Sequence, residues 1–401
     1  MTPRPAKPDL SPPAAVKTWQ RWSLMVGGAA TILVLIGAFL QPDQFFRAYL
    51  FNYMDWLGIA LGSSALLMIR HLTKGAWGMV VRRVWGAAMR TVPLLTLMFI
   101  PILFGIHRLY PWSWPDSALA GNKALLEHVQ HIRGYMNVPG FIARAVLYFA
   151  VWNAISFLLT KWSREQDRPP VRDNARFKKL SAPGLILYAF TISFAAIDWL
   201  MLLDPTWNST MYPLILLAGQ LIAAICFVIV IERLLVDYKP MSELLKPDYV
   251  HDHGKLTLAF IMLWAYFSFS QWLIIWAGNL PEEISWYLRR LNGGWQYCGL
   301  ILFVFGFALP FLTLLSRPYK RNVRKLAYLA VWLLVMRWLD LLWIVEPNFS
   351  KTFSISWLDV VMPFAMGGLW LAYFFRNLAS MELVPAYDVL ASEVLEPVHE
   401  G

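Results

Sequence analysis

The sequence predicts an all-α integral membrane protein of about ten transmembrane helices. Of its 401 residues, 58% are apolar and only 15% are charged, against about 25% charged in a soluble domain. Mean hydropathy is +0.49. The apolar residues also gather in runs of about 20, the length that crosses a hydrocarbon core of about 30 Å.

The expected spans one to ten have apolar cores at 22–40, 50–69, 91–109, 141–160, 182–203, 211–231, 256–277, 297–315, 326–345 and 357–375. Span one has a basic flank but runs into Gln41-Pro42-Asp43 without a small-x-small cleavage pattern, so it is expected to be a retained anchor. Segment 74–90 mixes Trp, Val and Arg and is expected to be an interfacial amphipathic helix leading into span three. No connection between spans approaches the size of a folded domain. The expected organisation is a tail at 1–21, a membrane domain at 22–376 and a tail at 377–401.

Charge supplies the orientation. The net charge is +10, but no nucleic-acid-binding module fits between the spans. Most of the 35 Lys and Arg lie in the N-terminal tail, after even-numbered spans and in the C-terminal tail, with 161–179 the most basic connection. Cationic segments stay on the cytoplasmic side, so both termini are expected there. The 2 cysteines, Cys226 and Cys298, sit inside apolar runs and form no Cys-x-x-Cys pair. The chain is therefore not expected to hold an iron–sulfur cluster or structural zinc by itself.

Two segments echo each other. Asp198 to Asp204-Pro205 in span five and Asp340 to Glu346-Pro347 in span nine both read acid, five residues, acid, proline. A weaker echo precedes spans four and eight. These similarities predict two parallel four-helix units, spans two to five (49–204) and six to nine (210–346), with spans one and ten outside.

An ionisable side chain near the bilayer centre costs about 2.5–3.5 kcal/mol on insertion scales. Asp55, Asp198, Arg337 and Asp340 are the clear cases. Asp55 shares a helical stripe with Gly58 and Gly62, a close-packing pattern that turns it toward protein. Asp198 shares one with Thr191 and Ala195, and Arg337 and Asp340 are spaced to pair. Asp55, Asp198 and Asp340 lie about one to two turns inside the outer ends, and His107 ends span three on that side. One cluster of these groups would suit proton transfer or a quinone head group. A quinol sheds two protons as its electrons leave, and a buried carboxylate is a suitable acceptor. The same acids also fit plain helix-bridging roles.

Weaker candidates are Ser268, Ser270 and Gln271 on span seven, as an inner polar path, and His251 and His253 at its start, as proton collectors. Asp204, Glu232, Glu346 and Asp359 are expected at the interfaces. None of the 7 histidines lies in mid-span, so no haem ligation is expected from this chain.

Four stretches carry a family resemblance: Tyr135-Met136-Asn137 through Arg144, Asp198 to Pro205, Pro247 to Lys255, and Tyr266 to Trp272. With the ten-span pattern they resemble the NrfD/PsrC-like membrane subunits of bacterial respiratory enzymes, more specifically the shorter, ActF-type subunit of alternative complex III, a quinol:cytochrome c (or copper-protein) oxidoreductase. The resemblance covers 22–375. It implies a cofactor-free subunit of the bacterial inner membrane beside a longer homologue that binds quinol, with iron–sulfur and haem c subunits on the periplasmic side. It also implies proton-path roles for Asp198 and Asp340, with Asp55 and His107 nearby. A secondary transporter, with its substrate between the two units, is the alternative from another class. Its broken-helix candidates are Pro310 and Gly367-Gly368.

Overall fold

A computed structural model describes residues 9–73 and 75–395. The ends of both predicted tails, 1–8 and 396–401, lie outside the described residues, as does Lys74. The chain is an all-α integral membrane protein. Its ten long apolar helices are Ala15–Leu40, Pro42–Thr73, Ala76–Phe104, Val138–Glu165, Ala175–Leu203, Tyr212–Leu235, Pro247–Gly278, Trp295–Leu315, Val323–Asn348 and Trp357–Ala379. Most outrun their apolar cores, because polar and capping residues continue the backbone helix past the hydrocarbon. Asn137 caps span four by accepting from Gly140 N at 2.8 Å. Ser356 and Asp359 form a capping box on span ten.

Span three departs from expectation. Segment 76–89 does not lie on the interface as an amphipathic helix. It is the N-terminal half of the span, packed mainly on span two and hydrogen-bonded to span four. Ser156 Oγ donates to Met89 O at 3.1 Å, and Arg83 Nη2 to Ser163 O at 3.0 Å. Its arginines meet acids of the same chain, Arg82 the buried Asp388 and Arg83 the half-buried Asp167. The helix breaks at Arg90-Thr91, just before Pro93, and again before Pro101.

Spans two and six form the centre and pack on each other. Gly58 and Gly62 let span two approach Gln220 and Ala224 of span six closely. Span two also packs on spans three and five, and span six on seven and nine. Span five reaches span six, and span nine makes the equivalent contact with span two. Span one packs mainly on span ten, where Gly27 and Gly368 meet backbone to backbone; a Cβ on Gly27 would lie 2.6 Å from Leu369 N.

The C-terminal segment is not a free tail. Leu383 N donates to Leu10 O at 2.8 Å, Tyr387 N to Gln166 O at 3.0 Å and Arg172 N to Tyr387 O at 2.9 Å. The buried Asp388 carboxylate takes Arg82 and, at 2.8 Å, Asn174 Nδ2. The segment therefore ties together the adjoining ends of spans three to five.

Candidate functional site

The structure divides the predicted acid cluster between two places. In the first unit, Asp198 is fully buried at the end of span five. Arg144 Nε donates to one carboxylate oxygen at 2.8 Å and Tyr148 Oη to the same oxygen at 2.9 Å, while Tyr135 Oη donates to the other at 3.0 Å. Arg144 also lies 3.9 Å over the Tyr135 ring. Burial, with the Asp198 charge second, pushes the Tyr135 phenol up to about 12, so it stays a donor at neutral pH. Trp199 stacks among Phe99, Phe149 and Trp152, with the Phe99 ring at 4.6 Å. Three donors engage the two oxygens of this carboxylate, and aromatic rings pack beside it.

The second unit is built differently. Arg337 and Asp340 pair one turn apart on span nine, both nearly buried. The guanidinium lies against Gly219 of span six, where any Cβ would collide with it. From span two, Asp55 lies within the field of Arg337, and its Oδ1 is buried without a hydrogen-bond partner. Arg337 is thus bonded to Asp340 and also feels the charge of Asp55.

Asp340 also lines a cavity of about 720 Å³ between spans seven, eight and nine and the helix Pro281–Arg290. Its walls are mostly apolar and rich in aromatic rings, including Trp264, Phe269, Phe303, Phe307 and Trp343. Spans seven and eight are only 17% and 22% buried along their apolar windows, so the cavity is bounded by helices that face the membrane. The polar groups on its wall are few. Gln271 accepts from Ser209 Oγ at 3.0 Å and reaches Tyr287 Oη at 3.4 Å. Ser268 and Gln296 line it without closing it. Burial pushes the Tyr287 phenol up to about 12, leaving a neutral hydroxyl.

Arg290 holds this end together. It donates to the carbonyls of Trp286 at 2.9 Å, Trp343 at 3.1 Å and Ile344 at 2.6 Å, and lies 3.6 Å over the Trp286 ring. Burial pulls its guanidinium down to about 9, so it remains charged at neutral pH.

One wall is a distorted helix. Span eight winds as a π-helix over Leu302–Ala308, and Leu309 N bonds Val304 O, five residues back. The next such bond would run from residue 310 to Phe305 O, but Pro310 has no N–H. Phe305 O takes Trp332 Nε1 from span nine instead, at 2.9 Å. π-Turns recur at functional sites in helices, and this one brings Phe303 and Phe307 to the cavity.

The remaining candidates lie elsewhere. His107 is exposed, with Nδ1 3.1 Å from Ser113 Oγ, apart from the acids. Of the three polar residues on span seven, Ser268 and Gln271 line the cavity, while Ser270 is not among its lining residues. His251 is half-buried at the inner end of span seven. His253 is fully buried, with Nδ1 2.9 Å from Glu232 Oε1 and Nε2 2.9 Å from Trp77 O. Glu232 is therefore an interior group and not the interfacial one its position at a helix end suggests.

Glu346 and Asp359, at the ends of spans nine and ten, are also buried. Gln44 Nε2 bridges them at 3.4 and 2.8 Å. Asp204 is buried against Arg289. Gln44 lies at the start of span two, so no local spacing in the sequence signals its pairing with Glu346 and Asp359. Among the described residues, no three His, Cys, Asp or Glu side chains converge as a metal site would require. No family model matches this chain, and no curated protein matches it.

Proposed function

We propose that this chain is a cofactor-free membrane subunit of a bacterial quinol:cytochrome c (or copper-protein) oxidoreductase, and that its second four-helix unit receives a quinol head group. The observation that carries this reading is the aromatic cavity among membrane-facing helices, with Asp340 in its wall. A quinol is a flat ring with hydroxyls on opposite edges and a long apolar tail. Such a ligand comes from the lipid phase, stacks on rings and needs a few polar groups to orient it. Gln271 and Tyr287 offer an amide and a neutral phenol, and Asp340 offers a base.

Oxidation releases two electrons and two protons from the ring hydroxyls. The electrons leave for the redox groups of iron–sulfur and cytochrome c subunits beside a longer homologous membrane subunit. One proton goes to the Asp340 carboxylate and the other to solvent water. Protonation there removes the charge that holds Arg337, and Asp55, with its unpartnered oxygen, becomes the counter-charge. The positions of these acids in the outer half fit release to the periplasm, with both termini cytoplasmic in the bacterial inner membrane.

A photoactivatable quinone analogue added to native membranes tests this. Labelling of peptides containing Trp264 to Trp272 or Leu302 to Phe307, lost on competition with unlabelled quinone, is the expected result. Labelling confined to another subunit would assign the quinol elsewhere.

The π-turn at Pro310 favours a second reading, a secondary transporter with a broken helix beside its substrate. Gly367-Gly368 gives it no matching break. Span ten is continuous there, and the glycines pack on Trp56 and Gly27. Substrate uptake by the purified chain alone in vesicles would favour the transporter.

A further inference from the structure

The Lys/Arg-rich end of the bundle carries a cluster of arginines that the quinol reading does not use. Arg90 sits at the break of span three, half-buried. Its Nη1 donates to Asn377 O at 3.3 Å and to Ser380 Oγ at 3.0 Å, which fixes it against the inner end of span ten. It also shares a small cavity with Thr160 and Ser163 of span four and with Arg83. Arg164 and Arg376 are the neighbours of these anchoring residues in the chain. Among the charges acting on Arg90, Arg164, Arg83 and Arg376 are all of its own sign. Arg164 and Arg376 are exposed and have no ion-pair partner among the described residues. Arg83 is buried and already paired with Asp167, and only its Nε has no hydrogen-bond partner. Thr160 Oγ1, on the wall of the same cavity, has none either.

Like charges held together at a membrane boundary are unfavourable unless an anion joins them. Each arginine also continues outward, along its own helical stripe, as an apolar or aromatic surface. Arg90 is followed by Leu97, 64% exposed, and Arg164 by Phe157, 67% exposed. Arg376 continues as Tyr373 and Leu369, both partly exposed. The result is a cationic mouth above an apolar track, on three different spans. That is the shape of a phosphodiester head group with acyl chains beneath it, and basic pockets between helices on the cytoplasmic side are known binding places for anionic lipids.

We infer that Arg90, Arg164 and Arg376 form a binding site for the phosphate of an anionic phospholipid at the inner membrane boundary. A planar guanidinium suits the head group, since it bonds phosphate in bidentate fashion and keeps its charge.

The test uses the protein extracted in mild detergent, with whatever subunits accompany it. Lipids retained after extraction are quantified by mass spectrometry, for wild type and for R164Q/R376Q. Both replaced residues are exposed and make no internal ion pair, so the variant is expected to fold; R90K serves as a milder control that keeps the charge. The expected result is retained phosphatidylglycerol or cardiolipin in the wild type, an about tenfold loss in the double variant, and intermediate retention in R90K. Rebinding is expected from phosphatidylcholine vesicles containing cardiolipin, but not from phosphatidylcholine alone, and inorganic phosphate should not compete. Equal retention by wild type and double variant would overturn the assignment. So would equal competition by inorganic phosphate, which indicates a free-anion site, or loss of a partner subunit in place of lipid.

Discussion

Asp198 and Asp340 have the same sequence signature but different surroundings. Asp198 has three donors on its two oxygens and a jacket of aromatic rings. Asp340 has one arginine and a cavity. The two should therefore separate under mutation. D198N leaves Arg144 without its counter-charge and should lower stability by about 2–3 kcal/mol, read as a lower melting temperature in detergent, with turnover per folded molecule little changed. D340N should lower quinol-dependent turnover by about tenfold or more, the range for loss of a positioned proton acceptor, with assembly intact. Reversed effects would exchange the roles of the two acids. The sequence revealed the acids because a charge inside an apolar run stands out. It did not reveal their partners. Arg144 comes from another span, and Tyr135 comes from a connection whose course no periodicity predicts. Glu232 was legible only as a helix-end charge, because its burial against His253 depends on how spans six and seven meet.

Helices show the same division. Ten apolar runs gave ten helices, since hydrophobic length is a local property. Span three was misread because Arg82 and Arg83 look like interfacial cations until Asp388 and Asp167 arrive from distant parts of the chain to neutralise them. The π-turn had one sequence clue, Pro310, which removes the hydrogen-bond donor that would otherwise satisfy Phe305 O. P310A restores that donor and permits a regular helix. It should leave stability unchanged or raised, while turning Phe303 and Phe307 away from the cavity. Affinity for a quinone analogue is expected to fall several-fold, as measured by competition with the photolabel; unchanged affinity would mean that the turn does not shape the site.

Across the whole molecule, the two central spans bury their small-residue faces against each other, and the C-terminal segment ties the inner ends together. The Arg82–Asp388 pair in that strap is almost free of solvent. Removing one partner of such a pair typically costs about 3–5 kcal/mol, so D388N should lower the melting temperature markedly and make the segment after Ala379 sensitive to protease. Persistent protection would show that the backbone bonds of Tyr387 and Arg172 suffice. Nothing in the sequence signals the strap, whose acid lies 306 residues from Arg82. Nor could it show the cavity, because empty space arises only where distant helices fail to fill it. Its charge distribution, by contrast, is local and supplied an orientation directly. The central claim, membership of a quinol-oxidising respiratory assembly, is tested most directly by purifying the tagged native protein in mild detergent, recording its absorption spectrum and identifying the subunits that accompany it. The expected result is haem c absorbance with co-purifying iron–sulfur and homologous membrane subunits. A colourless protein that purifies alone would contradict it.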